Sequence, residues 1–268
     1  MKVPGIKSLT LTYLSLLIVL AFISQWNTVG FWKALVLIAV QMGLEHTIAH
    51  FIDKKPLRRP PSGLISAFIM VLIVNPLTPW WAIVAAPIGV IMAKRYVRFG
   101  KVRHLVNPTA FSMVVLSLFA GNMVSWWGVS QGMLSYILII LFGLYTVYRL
   151  RKWVIVSVYT LILGSGILLL GINPISLIVD ATYLFFLTIM LIEPITTAYA
   201  TKAQETLYAA LAAVVTLLLG RFSTVAVDTL LAGIVVSGVI CGFLFVPKRP
   251  TVYAKEVNTK EEYAPQRS

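Results

Sequence analysis

Met70-Val71-Leu72-Ile73-Val74-Asn75-Pro76-Leu77-Thr78 closes an apolar run with a proline and a threonine, and Met190-Leu191-Ile192-Glu193-Pro194-Ile195-Thr196-Thr197 repeats the pattern. The two prolines are 118 residues apart. Threading the apolar runs as spans of ~20 residues places each stretch at the end of the third span of a five-span half. The spans read as 8–25, 31–51, 62–77, 79–94, 108–121, 130–149, 153–171, 175–198, 205–220 and 227–246. An odd number of spans per half makes the halves antiparallel, the mark of an inverted repeat with a site near the repeat interface.

Composition supports the threading. Of the 268 residues 59% are hydrophobic and 12% charged, too little charge for a soluble domain of this length. Twenty of the 22 lysines and arginines then fall on one side, leaving only Lys33 and Arg221 on the other. The expected topology is all-α and multi-pass, with both termini cytoplasmic. The opposite turns carry Trp26, Trp80, Trp81, Trp126 and Trp127, which fits an interfacial belt. The net charge of +13 flanks apolar runs, so it reads as topology signal and lipid-headgroup contact rather than nucleic-acid binding. The chain divides into membrane halves 1–125 and 126–246 and a polar tail 247–268. One cysteine, Cys241, builds no disulfide framework or metal cluster. No GxGxxG or GxxxxGK[ST] occurs, so nucleotide chemistry requires a partner protein.

The polar motifs gather at span ends. Asn107-Pro108 is a helix start, with a cap followed by proline in the first turn, and its positive dipole end suits an anionic or carbonyl-rich ligand. Simple capping accounts for the same residues. Ser62-Gly63-Leu64-Ile65-Ser66-Ala67 opens span three with a small-xxx-small pair that admits a helix or a planar ligand. Glu45, His46 and His50 lie near the basic end of span two, where interfacial hydrogen bonding outweighs metal binding for want of further ligands. Asp180 and Glu193 are carboxylates placed within span eight, and intramembrane carboxylates default to functional candidates for proton or sodium coupling, Thr196 beside them. A hydrogen bond to a neighbouring helix is the competing reading.

These motifs, in order, resemble the RnfD/NqrB family, the membrane flavoprotein subunits of ion-translocating Rnf complexes and sodium-pumping NADH:quinone oxidoreductases. Ser62–Ala67 followed by Asn75-Pro76-Leu77-Thr78-Pro79-Trp80-Trp81 is similar to one family segment. Lys94–Phe111, with Asn107-Pro108-Thr109-Ala110, resembles the family's Asn-Pro-Ala loop, and Glu193-Pro194-Ile195-Thr196-Thr197 resembles its Asp-Pro-Val-Thr segment. The resemblance implies ten helices in two inverted halves, similar to urea transporters, in the inner membrane. It implies a bound flavin, FMN or riboflavin. The family's Ser-Gly-Ala-Thr attachment motif is missing, Asp180-Ala181-Thr182 being the nearest string, so the flavin is expected to be non-covalent. Ser62, Gly63, Ser66, His104, Asn107 and Thr109 are the residues expected to hold it. A cytoplasmic FAD and iron–sulfur reductase subunit is the expected donor, and quinone an acceptor. A transporter or channel for a small solute or ion without redox chemistry, or a membrane anchor for a reductase, are the alternatives.

Overall fold

In the computed structural model, residues 5–54, 61–99, 103–224 and 226–245 are described. The expected tail 247–268 lies outside them, as do Gly100 and Lys101 of the loop before Asn107. Among the described residues the regular elements are helices, apart from a two-residue strand pair. Its helices are α1 (Ile6–Ser24), α2 (Thr28–Thr47), α3 (Pro61–Ile73), α4 (Trp80–Tyr96), α5 (Pro108–Ala120), α6 (Met133–Leu150), α7 (Trp153–Leu169), α8 (Ile175–Val179), α9 (Ala181–Phe185), α10 (Lys202–Phe222) and α11 (Thr229–Leu244). Strands β1 (Arg98–Phe99) and β2 (Arg103–His104) pair antiparallel between α4 and α5.

Helices α1, α2, α6 and α10 are each long and apolar enough to cross a membrane; α2 does so together with a π-helical turn, Ile48–Ile52. Large apolar side chains such as Leu16, Val19, Trp32, Leu141, Leu161 and Phe243 face outward from these and neighbouring helices. A helix apolar on its exposed side suits lipid, not water. The chain is thus a multi-pass membrane protein by the length and composition of its helices.

The apolar runs meant as spans one to seven, nine and ten each coincide with one helix to within a few residues. Span eight does not. The expectation of one helix over 175–198 is corrected: the helix breaks at Asp180, whose carboxylate accepts the Thr182 N–H at 2.8 Å, and restarts as α9. A π-helical turn, Phe186–Met190, follows, and residues 191–201 are non-helical. Pro194 lacks the N–H that would continue the ladder, and a short polar side chain competes for backbone donors at Asp180.

The end of α3 is closed by another segment. Asn75 N–H donates to Met123 O, Ser125 N–H to Ile73 O and Gly128 N–H to Leu72 O, all at 2.8–2.9 Å. The Trp127 indole N–H adds a bond to Val71 O at 2.9 Å. The bonds to Ile73 O, Leu72 O and Val71 O answer carbonyls that the end of α3 leaves open.

The core lies where α1, α3, α6 and α9 meet. Tyr13 stacks on Phe142 with ring centroids 4.6 Å apart and on Phe185 at 6.4 Å, in the offset arrangement aromatic rings prefer. Two further groups, α2 with α4 and α5, and α7 with α10 and α11, flank it, and α11 packs on α5. Glycines permit the closest approaches. At Gly143 of α6, a Cβ would come within 2.7 Å of Thr188.

Candidate functional site

The sequence brings most of the singled-out residues to one end of the bundle, where α2, α4, α6 and the π turn after α9 finish and α3, α5, α7 and α10 begin. Lys94, Arg95, Arg98, Arg149 and Arg151 make this the basic end.

Asn107 is the N-cap of α5. Its Oδ1 accepts the N–H groups of Thr109 at 3.0 Å and Ala110 at 3.1 Å. Its Nδ2 donates to Met190 O at 3.2 Å, across to the π turn that ends the broken span. Phe111 N–H goes to Asn107 O, and Pro108 has no N–H to offer. The donors of the first turn are therefore spent inside the protein. The expectation of an anion-ready helix start here gives way to the capping reading, with the addition that Asn107 ties α5 to the end of the broken span. Thr109 is buried in that first turn.

Ser62 lies within the first turn of α3, which begins at Pro61. Its carbonyl accepts the Ser66 hydroxyl at 3.0 Å and Lys94 Nζ at 3.4 Å. Ser66 thus bonds back along its own helix, as buried helical serines do. Gly63 gives way to a side chain. A Cβ there would meet Glu45 Cγ at 3.0 Å.

Glu45 makes the interfacial hydrogen bonding expected of it and is the hub of this end. Its Oε1 accepts Lys94 Nζ at 2.7 Å and Gln41 Nε2 at 3.2 Å. Gln41 is fully buried in α2. The i,i+4 spacing of Gln41 and Glu45 is visible in sequence, but Lys94, 49 residues from Glu45, reads there only as a topology charge. Lys94 is also in electrostatic reach of Glu193 and His104.

Glu193 follows the π turn. Its carboxylate accepts the Thr196 hydroxyl, and its carbonyl accepts the Thr197 N–H at 3.0 Å and hydroxyl at 2.8 Å. Asp180 sits apart from this group as the exposed junction between α8 and α9. The Asp180-Ala181-Thr182 string is therefore at a helix junction and not embedded in a helix; the Thr182 hydroxyl lies 3.2 Å from Ser130 Oγ. His46 Nδ1 is bonded to Met42 O at 2.7 Å, and His50 lies on the π turn with its ring against Phe51.

His104 is at the edge of the group, paired with Arg98 in the β1–β2 register. Its Nδ1 is buried without a hydrogen-bond partner among the described residues. Burial, followed by the charges of Lys94 and Arg98, lowers its pKa to about 4, so the ring is neutral near pH 7. A neutral imidazole offers one donor and one acceptor nitrogen. Because the folded value lies below the ordinary 6.5, the unfolded chain binds more protons between pH ~4 and 6.5. Stability is expected to rise with pH over that window and to level off above it, by at most about 3 kcal/mol. Thermal midpoints of the detergent-solubilised chain from pH 4 to 8 check this. His104→Gln should flatten the slope, and an unchanged slope would contradict the assignment.

No family model matches the chain. Over 104 residues, 38% of its length, it is 27% identical to the D component of the ion-translocating oxidoreductase complex of Vibrio vulnificus strain YJ016, and equally to that of strain CMCP6. The match spans 29% of those proteins' length. The chain is distantly similar to this component.

Proposed function

We propose that the chain is a membrane-embedded electron-transfer subunit of a redox complex, holding a flavin non-covalently at the basic end and passing electrons from a cytoplasmic FAD and iron–sulfur partner to quinone or another acceptor. The likeness to a component of an ion-translocating oxidoreductase complex supports the class. The observation that carries the site is the buried Nδ1 of a neutral His104, in electrostatic reach of Lys94, without a partner among the described residues and at the edge of the group that Asn107 and Glu45 organise. A flavin's ring edge presents amide-like N–H and C=O groups, and such an edge is what an orphaned imidazole nitrogen requires. The flavin would supply one- and two-electron transfer. His104 would contact it, with the Ser62 hydroxyl at the start of α3, while Gly63, which seats Glu45, and Ser66, which bonds back to Ser62 O, would shape the site from behind. Asn107 and Thr109 position rather than bind, since Asn107 fixes α5 against Met190. Glu193 with Thr196 is the proposed ion-coupling pair, in reach of Lys94. Asp180, exposed as a cap, takes the lesser place in this reading.

The ten-span arrangement in two inverted halves, 1–125 and 126–246, with the basic end cytoplasmic in the inner membrane, belongs to the same proposal. Its support is a pair of matching contacts. Lys33 donates to Thr78 O and Lys152 to Thr197 O, each across 45 residues and at opposite ends of the bundle.

The test is Asn107→Ala. It removes a cap, at about 1 kcal/mol, and the bond to Met190 O, at about another. If the site lies here, the ratio of flavin to protein absorbance after purification falls severalfold with the midpoint. A variant that keeps the parent ratio would place any flavin elsewhere.

A further inference from the structure

Lys33 and Lys152 differ in one respect. The two lysines are 119 residues apart, as are the threonines whose carbonyls they reach. At Lys152 the ammonium donates to Thr197 O at 2.6 Å and to the carboxylate of Glu205, the fourth residue of α10, at 2.7 Å. At Lys33 it donates to Thr78 O at 2.7 Å and Pro76 O at 2.6 Å, and it stands 5.4 Å from the centre of the Trp80 ring. The fourth residue of α4, the helix that follows this break, is Ile83. Among the described residues no carboxylate pairs with Lys33.

Lys33 is nevertheless only 8% exposed. A buried cation without countercharge costs several kcal/mol, and carbonyl dipoles recover part of this. Lys33 lines a partly open, mainly apolar pocket of about 20 Å³, bounded also by Ile83, Asn75, Pro76, Trp127 and Gly30. About 10–15 Å³ of such volume holds one water-sized particle. Geometry, charge and space thus leave one position open at Lys33, where the other lysine has its carboxylate.

We propose that this cavity binds one small monovalent anion, of halide or formate size, as the counterion of Lys33. The anion stands at the interrupted end of α3 where Glu205 stands at the interrupted end of the second broken span. The site is independent of the flavin reading.

The full chain in neutral detergent is unfolded by heat at pH 7 in sodium chloride, bromide, formate or gluconate at matched ionic strength. The small anions should raise the midpoint saturably, by about 3 °C at a tenfold excess over Kd, and the bulky gluconate should not. Lys33→Gln should lose the response. Ile83→Glu, which supplies the carboxylate internally, should lose it as well. Should either variant fail to fold, bromide anomalous density beside Lys33 Nζ in crystals of the parent protein decides. Equal midpoints in all four salts, as a water molecule in the cavity would give, overturn the proposal. So does a response that persists unchanged in Lys33→Gln, which would place the anion elsewhere.

Discussion

Glu205→Ala is expected to lower the free energy of unfolding by about 3–5 kcal/mol, the cost of breaking a buried ion pair on one side only. Glu205 is buried in the first turn of α10 and accepts Lys152 through Oε1 and Lys202 through Oε2, both at 2.7 Å. Removing it takes from buried Lys152 the carboxylate that faces it and leaves the bond to Thr197 O. The damage therefore falls on the contact between the start of α7, the start of α10 and the non-helical segment 191–201. Lys202 provides the comparison. Its side chain is 64% exposed, so Lys202→Ala should cost under about 1 kcal/mol. The double replacement Lys152→Met with Glu205→Leu should recover most of the loss, because neither charge then remains to be solvated. Thermal or denaturant unfolding in detergent reads all three. A Glu205→Ala variant no less stable than Lys202→Ala would refute the role given to this pair.

The second large effect is expected at Gly238. A Cβ there would lie 2.6 Å from Leu105 O and 3.4 Å from the Val106 Cα, which are backbone atoms and cannot rotate aside. Gly238→Ala must push the segment before Asn107 away from α11, at about 1–3 kcal/mol. Because that segment carries His104 and Asn107, flavin retention should fall together with stability. Gly43→Ala is the matched control. Nothing lies within 4 Å of its Cβ position, and alanine favours the helix, so that variant should be neutral or slightly more stable.

How far the sequence can be read is clear from particular residues. Apolar length locates most helices, and Asn107-Pro108 predicts the start of α5 at Pro108, where it is found. Continuity of apolar residues misleads at Asp180. Nothing in composition distinguishes a carboxylate facing a neighbouring helix from one that caps a new helix and ends the old one. The same limit hides the fate of Asn107: capping was legible, but the bond to Met190 O joins residues 83 apart. Glu45 and Lys94 were visible as charges at one end, and only the packing of α2 on α4 makes them partners. The proposed repeat rests, in the sequence, on its two prolines. Its better signature, Lys33 with Thr78 and Lys152 with Thr197, was obscured because lysines in a membrane protein are first sorted by side. Lys33 was one of two exceptions to that sorting, and its burial against carbonyls explains how it is tolerated there.

The central claim is that the chain carries electrons through a non-covalent flavin. The most direct measurement is the absorbance and fluorescence spectrum of the detergent-purified protein before and after acid precipitation. Flavin bands that leave with the supernatant are the predicted result, with lower occupancy in Asn107→Ala. Flavin retained in the pellet would mean a covalent attachment. A colourless protein that stays colourless after incubation with FMN and riboflavin would contradict the account and favour solute transport through the same helices.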